Sequence, residues 1–226
     1  MTSRRFPAIV FDFDGTLVDS APDLHAALNQ LLTESGRIGV SLAQVRQFIG
    51  DGAAKLVERG LEASGAPLSG SALAERVIRF LAIYEPMSAD RTLPYPGVVE
   101  TLGRLADAGH RMGLCTNKPE RATRLMLAAL KLDRFLTAVV GGDTLAVKKP
   151  RPEPLRSVLD QLGVAPDQAI MVGDNEHDVA TAHAAGVKVI VVAYGYARVP
   201  LAELRVDGRI EAFADLPAAL ADLARA

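Results

Sequence analysis

Ile9-Val-Phe-Asp-Phe-Asp-Gly-Thr-Leu-Val18 decides the reading of this chain: an apolar run that stops in two carboxylates, Asp12 and Asp14, and a tight turn at Gly15-Thr16. Side chains two apart on a strand share a face, so the spacing predicts that both acids converge where the strand ends. Gly15 admits the sharp bend there. Two carboxylates this close ionise together only beside a cation, and paired oxygens of this kind suit Mg²⁺. One acid can then attack a phosphorus atom while the other moves a proton. Solvated acids at an ordinary turn would need neither the apolar lead-in nor the Gly-Thr pair.

Around that stretch lie 226 residues, 49% of them hydrophobic, enough to bury a sizeable core. Twenty-five basic against 27 acidic residues give a formal charge of −2, which offers no electrostatic reason to expect nucleic acid or an anionic membrane as partner. The single cysteine, Cys115, rules out an internal disulfide and suits a reducing compartment. The opening Met-Thr-Ser-Arg-Arg suggests a twin-arginine leader, but only residues 8–11 are continuously apolar before Asp12, too few for a signal core. The expectation is a cytoplasmic protein, monomer or homodimer, with a small-molecule partner.

Short β-branched runs alternate with helix-period segments, the pattern of a parallel sheet wrapped by helices. Strands are expected over 8–13, 111–115, 138–140, 169–172, 187–192 and 210–213, with helices over 98–108, 120–130, 154–162, 178–185 and 216–223. From about 21 to 89 no strand is visible, only helix-period runs; Ser41-Leu-Ala-Gln44 reads as a capping box and Gly50-Asp-Gly52 as a loop. The fold expected is thus α/β, a Rossmann-like parallel core from residues 1–19 and 90–226, with a helical cap over 20–89. A helical insertion that leaves beside a strand-end site is placed to act as a lid. Leu93-Pro-Tyr-Pro-Gly97 reads as a stiff connector.

Three further strand ends carry chemistry. Cys115-Thr-Asn-Lys-Pro119 puts a hydroxyl and free amides before a helix, an anion site at Thr116 and Asn117. In Val147-Lys-Lys-Pro-Arg-Pro152 the residue before proline is kept off helical dihedrals, so Lys149 is expected to reach inward as a fixed ammonium, with Lys148 and Arg151 in solvent. In Ile170-Met-Val-Gly-Asp-Asn-Glu-His-Asp178 the acids Asp174 and Asp178, four apart, face one point if a helix starts near Asn175, and complete a metal site.

Two acids, a hydroxyl with amides, an ammonium and two more acids, in that order, resemble the haloacid dehalogenase-like hydrolase superfamily along nearly the whole chain. Asp19-Ser-Ala-Pro-Asp-Leu24, Ile49-Gly-Asp-Gly-Ala53, Gly141-Gly-Asp-Thr144, Lys148-Lys-Pro-Arg-Pro152 and Tyr194-Gly-Tyr196 are most similar to its phosphoglycolate phosphatase branch, with Asn175 where a serine is usual. The resemblance implies a Mg²⁺-dependent phosphomonoester hydrolase acting on 2-phosphoglycolate or another small phosphate ester. Asp12 is then nucleophile and metal ligand. Asp14 is acid–base, binding metal through its main-chain carbonyl, and Gly15 and Asn117 contact the substrate phosphate.

Rival readings leave marks that can be looked for. Phosphosugar mutases of the β-phosphoglucomutase type carry a histidine and an arginine where this chain has Leu24 and Ala53; His25 is one place off. Cys115 and Arg121 have the spacing of cysteine phosphatases, but the five residues between include a proline, an acid and no glycine. A non-catalytic binding protein would lack one of the reactive groups. With Lys149 committed to phosphate, the carboxylate of phosphoglycolate needs a donor from the cap: Gly52 at the loop tip, Lys55 and Arg59 one turn apart on the next helix, and more weakly Arg46.

Overall fold

In the computed structural model, which describes residues 5–225, the strands and helices in chain order are β1 (Ala8–Phe11), β2 (Val18–Asp19), α1 (Ala21–Glu34), α2 (Leu42–Phe48), α3 (Ala53–Ala63), α4 (Gly70–Met87), β3 (Leu93–Pro94), α5 (Val98–Asp107), β4 (Arg111–Cys115) and α6 (Glu120–Ala129). They continue through β5 (Ala138–Val140), α7 (Glu153–Leu162), β6 (Ala169–Gly173), α8 (Glu176–Ala185), β7 (Lys188–Val192), β8 (Gly208–Ile210) and α9 (Leu216–Arg225). The first four residues of the leader-like start lie outside the described part. No helix among the described residues is long and apolar enough to cross a membrane.

Six strands form one parallel sheet in the order β5-β4-β1-β6-β7-β8. The chain leaves β1 for β4 on one side and later returns to β6 on the other, so the strand order switches direction at β1. Ligands of such sheets bind at that switch, beyond the carboxyl ends of the strands. Alternation along the strands then divides the interior in two. Ile9, Phe11, Met112, Leu114, Ile170 and Val172 pack with α5, α6 and α9, whereas Ala8, Val10, Cys115, Ala169 and Met171 pack with α7 and α8. A one-residue slip would exchange the two sets, so the register is tightly specified. Gly113 of β4 lets α7 approach closely: a Cβ there would stand 2.5 Å from Val158 Cγ1.

Most expected elements form within a residue or two of their predicted bounds. The first strand stops at Phe11 rather than 13, because the Phe13 carbonyl turns to accept the amide of Leu17 at 2.9 Å. The last strand lies earlier, at Gly208–Ile210; Phe213–Asp215 is instead a 3-10 turn, with the Asp215 carboxylate accepting from Ala212 N at 3.2 Å. The connector at 93–97 contains β3, which pairs antiparallel with β2. This two-stranded ribbon carries helices α1–α4, which pack mainly on one another. The Ser41–Gln44 capping box forms as expected. At the base of the helices the buried Asp23 carboxylate accepts from Arg91 N, Thr92 N and Thr92 Oγ1, tying α1 to the returning strand.

Candidate active site

Beyond the carboxyl ends of β1, β4 and β6 the three polar strand ends meet. Asp12, Asp174 and Asp178 each bring a carboxylate oxygen within 4.8 Å of the others, all of them buried. α8 starts at Glu176 with Asn175 as its N-cap, so Asp178 sits in the first turn and folds back: its Oδ2 accepts from Asp174 N at 3.0 Å and Asn175 N at 3.3 Å. Asp174 is fixed from both sides, by Asn175 Nδ2 at 2.8 Å and by Tyr196 N at 2.6 Å. Gly15, at φ +86°, passes so close that any Cβ would collide with the Asp174 carboxylate.

Lys149 reaches inward as the Lys-Pro pair predicts. Its Nζ lies 2.6 Å from Asp178 Oδ1 and 2.9 Å from Asp12 Oδ1. The second contact is close but not aligned as a hydrogen bond, so Asp12 Oδ1 is a buried oxygen without a donor. With all three carboxylates ionised, one ammonium would leave two negative charges uncompensated. Burial, then repulsion from Asp178, pushes the Asp12 carboxyl up to about 7 in spite of Lys149. Burial and the same neighbours hold the Asp174 carboxyl well above its usual range. Burial alone would strip the proton from Lys149, yet Asp12 and Asp178 raise its affinity for it. An all-oxygen donor set, an orphaned buried oxygen and a deficit of two charges fit a divalent cation.

Asp14 does not join this group. Past Phe11 the chain is no longer extended, the rule of alternate side chains lapses, and the Asp14 carboxylate turns to Lys118, whose Nζ lies 3.1 and 3.2 Å from its two oxygens. The side-chain cluster therefore has three acids, not the four the motifs suggested. Lys118, buried and also bonded to Tyr84 Oη at 2.6 Å, is a second inward cation that the sequence reading passed over. Its signal was present: Lys118-Pro119 repeats the Lys-Pro pattern that singled out Lys149.

Thr116 and Asn117 lie at the end of β4 as expected. Thr116 Oγ1 accepts from Lys118 N at 3.3 Å, and Asn117 Nδ2 donates to Gly50 O at 2.9 Å and Lys149 O at 3.1 Å, bridging the helical roof and the sheet. A cavity of about 490 Å³, its open mouth included, is floored by Asp12, Asp14, Thr116 and Asn117 and roofed by Leu24, Leu56, Phe80 and other residues of α1, α3, α4 and the α2–α3 loop.

Gly52 lines this cavity, but the other roof candidates do not. Lys55 is exposed and paired with Glu58. Arg59 binds Asp51 Oδ2 at 2.6 Å and Phe48 O at 2.9 Å, and Arg46 binds Asp19 at 3.2 Å. The apolar stripe Leu56, Val57, Gly60 and Leu61 faces inward and leaves Lys55 and Arg59 on its flank. Gly15 N is spent on Val18 O at 2.9 Å, so it has no free amide for a phosphate. Lys148 is exposed, as expected, and also donates to Asp51 O at 2.5 Å. Asp51 is also met by His177 at 2.5 Å and by Arg198, which binds Glu176 in turn. This clasp between the α2–α3 loop and the sheet was not foreseen, since Arg198 belongs to no motif.

Among the rivals, His25 of α1 faces Val40 O at 3.0 Å, away from the cavity. Cys115 is fully buried, and burial pushes its thiol up to about 12. A family model described as haloacid dehalogenase-like hydrolase matches residues 9–192.

The chain belongs to the haloacid dehalogenase-like hydrolase family. Within it, the chain is 47% identical over 213 residues to a phosphoglycolate phosphatase of Rhodospirillum rubrum, covering 92% of this chain and 88% of that protein. To a phosphoglycolate phosphatase of Cereibacter sphaeroides it is 42% identical, with 93% and 96% covered. The crystal structure of a predicted phosphoglycolate phosphatase from Haemophilus somnus 129PT superposes with a TM-score of 0.89 at 32% identity, covering 95% of this chain and 97% of that one. This haloacid dehalogenase-like chain is thus an enzyme of the phosphatase type.

Proposed function

We propose that the chain hydrolyses 2-phosphoglycolate to glycolate and phosphate, with Mg²⁺ held by Asp12, Asp174 and the main-chain carbonyl of Asp14, and with helices 20–89 as a lid. The observation that carries this is the buried trio Asp12, Asp174 and Asp178, matched by the single ammonium of Lys149, with Asp12 reaching the floor of a small roofed cavity. When bound, the cation supplies the charge that lets these acids and a phosphate share one site. Asp178 acts on it indirectly, since its carboxylate is occupied by Lys149 and two backbone amides.

Asp12 attacks phosphorus, the bond from phosphorus to the ester oxygen breaks, and Asp14 gives the departing glycolate its proton. Water then attacks the phosphorus of the phosphoaspartate, Asp14 takes a proton from it, and Asp12 and phosphate are released. Lys149, Thr116 and the Asn117 amide hold the equatorial oxygens. The test is a panel of small phosphate esters at equal concentration with Mg²⁺, followed by acid quenching to trap phosphate on the protein. The highest kcat/KM should fall to 2-phosphoglycolate and the label to Asp12. Turnover of no phosphomonoester, or a label elsewhere, would overturn the reading.

A further inference from the structure

We propose that Lys118, assisted by Tyr84, is the specificity determinant of this site: the group that recognises a negatively charged tail on the substrate. The inference rests on the phosphatase reading and adds what the phosphate-binding residues cannot supply. Among the described residues lining the cavity, Lys118 is the sole cation. Lys149 does not line the cavity and stands with Asp12 and Asp178 on the phosphate side, while Lys55, Arg46, Arg59 and Arg198 are each paired outside. The roof beyond Lys118 is apolar, with Ile49, Leu56, Phe80 and Leu81. A carboxylate turned toward that roof gives up water for apolar side chains and needs a charged donor in exchange.

Lys118 is built for that task. Its side chain is 3% exposed, its Nζ stands 4.6 Å above the Tyr84 ring, and it donates to Tyr84 Oη at 2.6 Å. Burial keeps the Tyr84 phenol protonated, so its own hydrogen remains available to an anion. The carboxylate that meets Lys118 is that of Asp14. A substrate carboxylate would take that place, which leaves Asp14 without its ammonium partner at the moment the ester oxygen arrives. Lys118 is two residues past Thr116, so the phosphate and tail positions are near neighbours, and the tail that fits is short. The substrate class is a small phosphomonoester with an anion one or two carbons from the ester oxygen.

The experiment compares 2-phosphoglycolate with its neutral amide, 2-phosphoglycolamide, in wild type, Lys118→Met and Tyr84→Phe, with folding followed by circular dichroism. Wild type should favour the acid. Lys118→Met should lower the acid-to-amide ratio of kcat/KM on the order of 10- to 100-fold, mostly through KM for the acid, as for loss of a charged hydrogen bond. Tyr84→Phe should lower it by less. An unchanged ratio, or equal losses on both esters, would overturn the proposal and leave Lys118 as a support for Asp14 alone. Should Lys118→Met fail to fold, Tyr84→Phe decides by the same ratio. A wild type that cleaves acid and amide equally defeats only the assignment of Lys118, whereas one that cleaves neither, nor any other ester, defeats the phosphatase reading itself.

Discussion

Asp12→Asn should make the metal-free protein more stable while removing its activity. The carboxyl of Asp12 is held at about 7 rather than its ordinary 3.8, first by burial and then by Asp178, so the fold resists its ionisation by about 4 kcal/mol. The folded chain keeps this proton more tightly than the unfolded one. Stability therefore falls as pH rises from about 4 to about 7 and stays low above that. Asparagine has the same shape and no charge to suppress. In chelator at pH 7.5 the variant should melt higher than wild type by roughly 8 to 15 °C, at about 2–4 °C per kcal/mol for a chain of this length. Near pH 4 the two should coincide. Saturating Mg²⁺ should close the gap, because cation at about 1,000 times its Kd stabilises wild type by about 4 kcal/mol. Phosphate release by the variant should fall by several orders of magnitude, since an amide cannot serve as the nucleophile. A variant that melts at or below wild type in chelator at pH 7.5, or keeps more than a few per cent of turnover, refutes the reasoning.

Mg²⁺ should support turnover and Ca²⁺, with its looser and higher coordination, should inhibit it; activity indifferent to chelator would remove the metal from the scheme. Asp51→Ala should unfasten the α2–α3 loop, raising KM and costing about 1–3 kcal/mol by taking from Arg59 and Arg198 the carboxylate they share. Burial opposes ionisation of Asp51, but Arg198 and Arg59 hold its carboxyl well below the usual range. Its contribution is therefore full above about pH 4 and fades in stronger acid, and a melting difference that grows on acidification would contradict the clasp. Lys55→Ala should change neither phosphoglycolate nor aryl phosphate turnover, because Lys55 pairs with Glu58 outside the cavity. Arg59→Ala should lower both alike, and selective loss of phosphoglycolate turnover in either variant would return that residue to the site.

What could be read in the chain beforehand was whatever depends on periodicity and order. The unbroken apolar runs Ile9–Phe11 and Ile170–Val172 mark strands buried on both faces, and the succession of polar strand ends gives the site before any contact is known. Directions of side chains past a strand end were not legible. Asp14 and Asp12 are two apart, yet they diverge once the extended backbone is lost. Nor does a sequence say which long cation an acid meets: Lys118 and Lys149 both precede proline, and only the fold assigns one to Asp14 and the other to Asp12. The two-residue strands Val18–Asp19 and Leu93–Pro94 are too short to show a period. Arg198 lies 147 positions from Asp51, a pairing no local pattern reports.

The sealed thiol at the end of β4 bears on how this enzyme withstands oxidants. Peroxide attacks thiolates, and phosphatases that use a cysteine nucleophile must expose one. Here the chemistry passes through carboxylates, while the chain's lone sulfhydryl stays protonated within the sheet, one residue before Thr116 and out of reach of solvent. Turnover should continue through peroxide exposures that silence cysteine-dependent phosphatases.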